Sequence, residues 1–297
     1  MKLVSPGYHE LAAQWKSQLS RGMQEDGWEL DWTAIGTGVP SKKNIHAKIV
    51  AKEDGVWAAE GLGHAANELF GIPIVRKIAR DGTRVKAGRI VSQWSGPARL
   101  VLALERPFLN LAGYVSGVAT LTHRLVQSAQ KAQKAVKSGN KEIRVTATRK
   151  TLPGYRDIAI HGVRSGGGYS HRVSLSGGVL IKENHIAAAG GISKAVQGAR
   201  SVAPHGLKIE IEVRNLKELR EALAAGAEVV MLDNFSPAQV TEAVTLIQKG
   251  AHGCIVECSG GIQESNIQEY VQPGVHVLSV GALTHSARAL DLSLLVE

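Results

Sequence analysis

The sequence predicts an α/β protein in which a mixed N-terminal region precedes a closed or nearly closed barrel of parallel strands. Three observations carry that reading. Six short β-rich runs follow residue 118: IRVTA, GVLIK, KIEIEV, EVVML, GCIVE and HVLSV. Between the later ones lie NLKELREALAAGA, SPAQVTEAVTLIQKG and QESNIQEYV, each with apolar residues at helical spacing. The later strands recur at intervals of 20–26 residues, long enough for a helical crossover, so neighbours run parallel. At least six strands in this rhythm favour a barrel over an open doubly wound sheet.

The elements before the barrel are less regular. LAAQWKSQLSRGMQ reads as a helix, IHAKIVAKEDGVWAA as strand and GLGHAANELFG as a second helix. TRVKAGRIVSQW alternates around a glycine turn, which predicts two short strands. ARLVLALERPFLNLAGYVSGVATL is the most apolar stretch, but Glu105, Arg106 and Pro107 interrupt it. It suits a buried helix and not a membrane span. The polar KAVKSGNKE, residues 134–142, reads as a surface loop before the first barrel strand.

Composition narrows the class. The 297 residues are 44% hydrophobic and 21% charged, ordinary for a soluble globular protein. The N-terminus, MKLVSPGYHELAAQWK, lacks the apolar core of a signal peptide. Cys254 and Cys258 are too few for a disulfide framework and lack the rest of a zinc set, so they read as reduced core or near-core thiols. A cytoplasmic location fits. The net charge of +9 raises nucleic acid as a partner. Residues 1–118 carry 15 basic and 11 acidic side chains against 20 and 15 in the remainder, so the excess is spread and forms no arm. All five tryptophans lie in the first 94 residues, away from the basic centre, so no stacking surface for bases is indicated. Neither nucleic acid nor membrane is expected as a partner.

Parallel barrels do their chemistry where strands end and the following loops begin. GVLIK ends in Lys182, KIEIEV in Glu212 and EVVML in Asp233. GCIVECSGG ends in Ser259, Gly260 and Gly261, and HVLSVGA in Ser279 and Gly281. A glycine turn opening onto a helix leaves backbone N–H groups free to hold phosphate. Neighbouring carboxylates suit Mg²⁺ or sugar hydroxyls, or a structural ion pair. From Arg149 to Lys182 the chain holds Arg149, Lys150, Arg156, Arg164, Arg172 and Lys182 against one acid, Asp157. Such crowding costs free energy unless an anion sits among the cations or solvent separates them. Gly166–Gly168 precede His171 and Arg172, and arginine grips a carboxylate by a two-pronged fork. His185, in KENHI, reads as structural.

These segments resemble one family. TRKTLPGYR, SGGGYSHR, LIKENHI, IEIEV followed by NLKEL, VVMLDNF, ECSGGI and LSVGALTHSARALDLSL stand in the order and spacing of quinolinate phosphoribosyltransferases. ERPFLNLAGYVSGVAT matches a further family pattern. The resemblance covers residues 100–297 strongly and 45–99 loosely. It implies an N-terminal α/β sandwich domain, residues 1–117, joined by a C-terminal helix over 282–297. An incomplete α/β barrel of about seven strands would span residues 118–281. It implies conversion of quinolinate and phosphoribosyl pyrophosphate into nicotinate mononucleotide, pyrophosphate and CO₂ on the route to NAD, with Mg²⁺ as cofactor. It also implies a homodimer or higher homo-oligomer.

Carried across, Arg149, His171, Arg172 and Lys182 match quinolinate-binding positions, with Arg106 reaching the partner's site. Lys150 matches a lysine near both substrates and the pyrophosphate. Glu212 and Asp233 match the acids near ribose and metal, direct or through water. Lys150, Lys182, Glu212, Asp233, Ser259, Gly260, Gly261, Ser279 and Gly281 are thereby candidates for contacts to phosphoribosyl pyrophosphate, and Lys150, Glu212 and Asp233 for catalysis. Three departures stand out: EDGWELDWTAIG where the family often has a GD-x-T segment, Ile160 where a lysine is common, and Ala147 where many members have aspartate.

Overall fold

Alternating apolar residues and glycine turns shape the first elements. The computed structural model describes residues 8–41, 43–71, 73–136, 142–250 and 253–297. In chain order they begin with helices α1 (Tyr8–Glu25) and α2 (Trp32–Gly36), then strands β1 (Asn44–Ala51) and β2 (Gly55–Trp57). Helix α3 (Glu60–Phe70) and strands β3 (Val75–Ile78), β4 (Thr83–Val85) and β5 (Ile90–Pro97) follow. The long helix α4 (Ala98–Ala135) continues through Pro107. The barrel elements are β6 (Arg144–Thr146), α5 (Arg156–Ser165), β7 (Val179–Ile181), α6 (Glu183–Ala189), α7 (Ile192–Val202) and β8 (Ile209–Val213). They continue with α8 (Leu216–Ala224), β9 (Val229–Asp233), α9 (Pro237–Gly250), β10 (Ile255–Ser259), β11 (Val277–Ser279) and α10 (Ala282–His285), and β12 (Leu292–Val296) ends the chain. Of the loop expected over 134–142, Lys134 and Ala135 are the last turn of α4, and residues 137–141 lie outside the described residues.

Two units emerge. The first comprises the residues up to His123, Leu152–Gly167 and Ala287–Glu297. Its antiparallel sheet has the order β12-β1-β5-β3, and β2 pairs separately with β4. Trp15, Trp57, Trp94, Phe108, Leu19 and Ile49 are fully buried in its core. Trp94 and Phe108 meet edge to face at 4.8 Å, the arrangement their ring quadrupoles favour. The expected C-terminal helix over 282–297 is corrected here. Only Ala282–His285 is helical, and Leu292–Val296 is a strand paired with β1, Ala51 opposite Leu292 and Ile49 opposite Leu294. The alternation of Leu290, Leu292 and Leu294, all buried, has the strand period. Helix α5 also belongs to this first unit, although it stands between two barrel strands in the sequence.

The second unit comprises Arg124–Thr151 and Gly168–Ser286. Its parallel sheet has the order β6-β11-β10-β9-β8-β7. Tyr169 adds a one-residue bridge beside Thr146 on β6, a vestigial seventh strand. Six paired strands and this bridge make an incomplete α/β barrel, as the family resemblance implies. QESNIQEYV, expected as a helix, forms only a 3₁₀ turn over Ile267–Tyr270. Pro273 closes this segment, and the residue before a proline disfavours the α conformation. Among the described residues no helix is long and apolar enough to cross a membrane.

Candidate active site

The strand alternation decides which side chains meet. In β8, Ile209, Ile211 and Val213 are buried on the face covered by α7 and α8, which leaves Glu210 and Glu212 on the opposite face. On β10, Val256 and Cys258 take the apolar face by the same rule, leaving Glu257 and Ser259 on the other. Burial pushes the Cys258 thiol up to about 12, so this cysteine is inert core, and Cys254 is likewise shifted up by burial. The ladder pairs Asp233 with Ser259, Ser259 with Ser279, and Ser279 with Thr146. Four neighbouring strands therefore end in one polar row at their C-terminal edge.

A cavity of about 840 Å³ opens over that row. It is lined by Arg149, Lys150, His171, Arg172, Lys182, Glu212, Asp233, Ser259, Gly260, Gly261, Ser279 and Gly281. Twelve of the thirteen candidates from the sequence thus surround one space. Arg106 is not among the lining residues; it is an exposed side chain on α4 in the first unit.

Cations dominate one side of this cavity. Arg172 donates from Nη1 to the Gly178 carbonyl at 3.1 Å. The Nε atoms of Arg149 and Arg172 are buried with no hydrogen-bond partner among the described residues. Burial, and then the Arg149 charge, hold the Arg172 pKa below its ordinary value. Both costs fall if an anion enters between the guanidinium groups. Lys182 forms an ion pair with Glu212, so in the resting site each neutralises the other.

The acidic and glycine-rich side is held by an unusual turn. Asn234 adopts φ 57°, a left-handed conformation rare outside glycine, directly after Asp233. Its side-chain amide donates to Asp233 at 2.9 Å, and its backbone N–H donates to the Ser259 carbonyl at 2.8 Å. Gly260 sits against this turn with φ +90°; a Cβ there would lie 2.2 Å from Asn234 Oδ1 and 2.8 Å from its nitrogen. Only glycine meets both demands.

Below the cavity lies a buried polar cluster. His171 Nε2 is 3.0 Å from one Glu210 carboxylate oxygen, 3.3 Å from the other and 3.6 Å from Glu257. Ser279 donates its hydroxyl to Glu257. The Arg172 N–H donates to His171 Nδ1 at 2.8 Å, which assigns the imidazole proton to Nε2. Burial works against a charged His171, but the hydrogen bond to Glu210 and then the Glu210 charge outweigh it and raise its pKa. Both ring nitrogens are therefore engaged within the protein.

Known proteins resemble this chain in sequence and in fold. Residues 31–116 match the N-terminal domain of quinolinate phosphoribosyl transferase, and residues 118–295 match its C-terminal domain. The chain belongs to the quinolinate phosphoribosyltransferase family. It is 42% identical over 260 residues to a probable carboxylating nicotinate-nucleotide pyrophosphorylase of Methanocaldococcus jannaschii, covering 86% of this chain and 88% of that one. The corresponding protein of Mycobacterium leprae is 38% identical over 94% of this chain and 96% of its own. The nicotinate-nucleotide pyrophosphorylase structure from Francisella tularensis superposes with a TM-score of 0.83 at 31% identity, covering 96% of this chain and 97% of that one.

Within this site the sequence reading missed Glu210 and Glu257. Each stands two residues before a strand-end residue on the same face, so the alternation in IEIEV and IVECS was the available signal. Arg214 and His285 also line the cavity and were not singled out. His185 has the structural role expected of it: its Nδ1 accepts the Lys182 N–H at 3.0 Å and caps α6. Of the departures from the family, Ala147 is fully buried and Ile160 nearly so, on α5. In the third, Asp31 accepts the Ala34 N–H at 3.0 Å and caps α2.

Proposed function

We propose that this cavity joins quinolinate to phosphoribosyl pyrophosphate and decarboxylates the product to nicotinate mononucleotide. The observation that carries the reading is the pair of arginines with unpartnered buried nitrogens facing a space that two carboxylates and two glycine turns complete. Quinolinate brings two carboxylates, which suit Arg149, Arg172 and Lys182. The turns at Ser259–Gly261 and Gly281 hold phosphate through backbone N–H groups. Lys150, exposed at the cavity wall, meets the pyrophosphate.

The pyridine nitrogen attacks the anomeric carbon of the sugar while the bond to pyrophosphate breaks, leaving the pair of electrons on the departing oxygen. Glu212 and Asp233 stabilise the positive ribosyl character of that transition state. The N-ribosylated ring then loses the adjacent carboxylate as CO₂; the electrons of the broken bond stay on the ring carbon, which takes a proton from solvent. Lys182 exchanges its partner in this sequence, leaving Glu212 for a quinolinate carboxylate.

Mg²⁺ fits the donor set. Glu212 and Asp233 offer carboxylate oxygens on neighbouring strands, and Mg²⁺ binds through one or two carboxylates plus substrate phosphates and waters. When bound it neutralises charge on the leaving pyrophosphate. We further assign a homodimer in which Arg106 reaches the partner's quinolinate site, and a cytoplasmic location in keeping with two free thiols.

A product assay tests the reading. Purified protein with quinolinate, phosphoribosyl pyrophosphate and Mg²⁺ yields nicotinate mononucleotide by mass spectrometry, with CO₂ released, and nicotinate in place of quinolinate yields none. A folded protein that makes no product from quinolinate would overturn it.

A further inference from the structure

Two acids lie under the cavity without lining it. Glu210 and Glu257 are 8% and 3% exposed, and neither belongs to the cavity wall, so neither reaches a substrate directly. Buried carboxylates side by side cost free energy and persist only where they are compensated. Here the compensating groups are the His171 imidazole and the Ser279 hydroxyl. His171 and Arg172 lie outside the paired strands, between the single bridge at Tyr169 and the start of β7. No ladder fixes them. Besides the Arg172 bond to the Gly178 carbonyl, a chain of contacts holds them: Ser279 on β11 to Glu257 on β10, Glu257 and Glu210 to His171 Nε2, and His171 Nδ1 to the Arg172 N–H.

We propose that Glu257 is a positioning residue: held by Ser279, it clasps His171 together with Glu210 and so sets Arg172 for the quinolinate carboxylate. This inference rests on the function proposed above. It gives His171 a task its geometry permits, since its two nitrogens face Glu210 and its own chain. It also gives Ser279 a task other than phosphate binding, since its hydroxyl is turned to Glu257 and the residue is 3% exposed. Burial, and then the Glu210 charge, push the Glu257 carboxyl up to about 8, and glutamine imitates the hydrogen bonding of its protonated form.

The test uses the full-length protein, with steady-state KM values for both substrates, calorimetric binding of quinolinate, and thermal melting for each variant. Glu257→Leu, similar in bulk but without hydrogen bonds, raises the quinolinate KM on the order of tenfold or more. The phosphoribosyl pyrophosphate KM stays within about twofold, because a displaced Arg172 leaves the phosphate turns alone. Glu257→Gln restores the quinolinate KM to near wild type. Ser279→Ala moves the quinolinate KM in the same direction as Glu257→Leu, by less. An unchanged quinolinate KM in Glu257→Leu, or equal changes in both KM values, would overturn the proposal. If Glu257→Leu does not fold, Ser279→Ala decides: a rise confined to the phosphoribosyl pyrophosphate KM, or no rise in either, overturns it. Wild-type protein that turns over no quinolinate defeats the function itself; active wild type with an indifferent Glu257→Leu defeats this inference alone.

Discussion

Removing Arg172 deletes a charge that the fold has already partly desolvated, so the loss falls on the ligand that would pair with it. Arg172→Ala should weaken quinolinate binding by about 2–5 kcal/mol, the range for truncating one partner of a buried charge pair. Calorimetry at neutral pH checks it, and an unchanged affinity would remove Arg172 from the site. A second residue-level effect concerns pH. The Glu257 carboxyl keeps its proton to about 8 in the folded protein, against an ordinary value of 4.5. Between those values the native state holds a proton that the unfolded chain has released, so this group lowers stability as pH rises. His171, raised from 6.5, acts in the same direction: its stabilisation is complete below that value and is lost as pH climbs through the raised one. The melting temperature of wild type relative to Glu257→Gln should therefore fall between pH 4.5 and pH 8. A difference that stays flat or rises would show that Glu257 ionises as an ordinary acid.

At the scale of elements, α4 is tested by one glycine. A Cβ on Gly117 would lie 2.1 Å from the Arg288 carbonyl oxygen and 3.0 Å from the Ala289 Cα, both backbone of the segment leading into β12. Alanine is favoured over glycine in a helix by roughly 1 kcal/mol, yet forcing backbone apart costs about 1–3 kcal/mol or more. Gly117→Ala should therefore lower the melting temperature, and a rise would mean that the C-terminal segment does not lie against α4. That segment also marks a limit of the sequence reading. SARALDLSLLVE carries leucines whose spacing serves a helix and a strand about equally, and only the partner strand β1 decides between them. The barrel strands were legible because each is a β-rich run closed by polar or glycine residues. Helix α6 was not read, since ENHIAAA is too short for a periodic signal. The strand-end residues of the site were legible for the same reason as the strands. Glu210 and Glu257 were not, because a glutamate inside a strand reads as solvated until the polar barrel interior is known.

For the whole molecule, the test falls on Arg106, which does not line the cavity. The family resemblance has it cross to the partner's site, and subunit mixing distinguishes that arrangement from an intrachain one. Arg106→Ala and Lys182→Ala should each be nearly inactive alone. In a mixed dimer, the barrel with an intact Lys182 would receive Arg106 from the other chain and regain a complete site, while its companion site carries both defects. Random exchange makes half of the dimers mixed with one good site in two, so activity should recover to about a quarter of the wild-type value. If Arg106 acts on its own chain's barrel, or the protein is monomeric, both sites of every mixture stay defective and nothing is recovered. Recovery would thus make the two-chain site a property of this protein, and its absence would leave the cations of a single barrel to hold quinolinate alone.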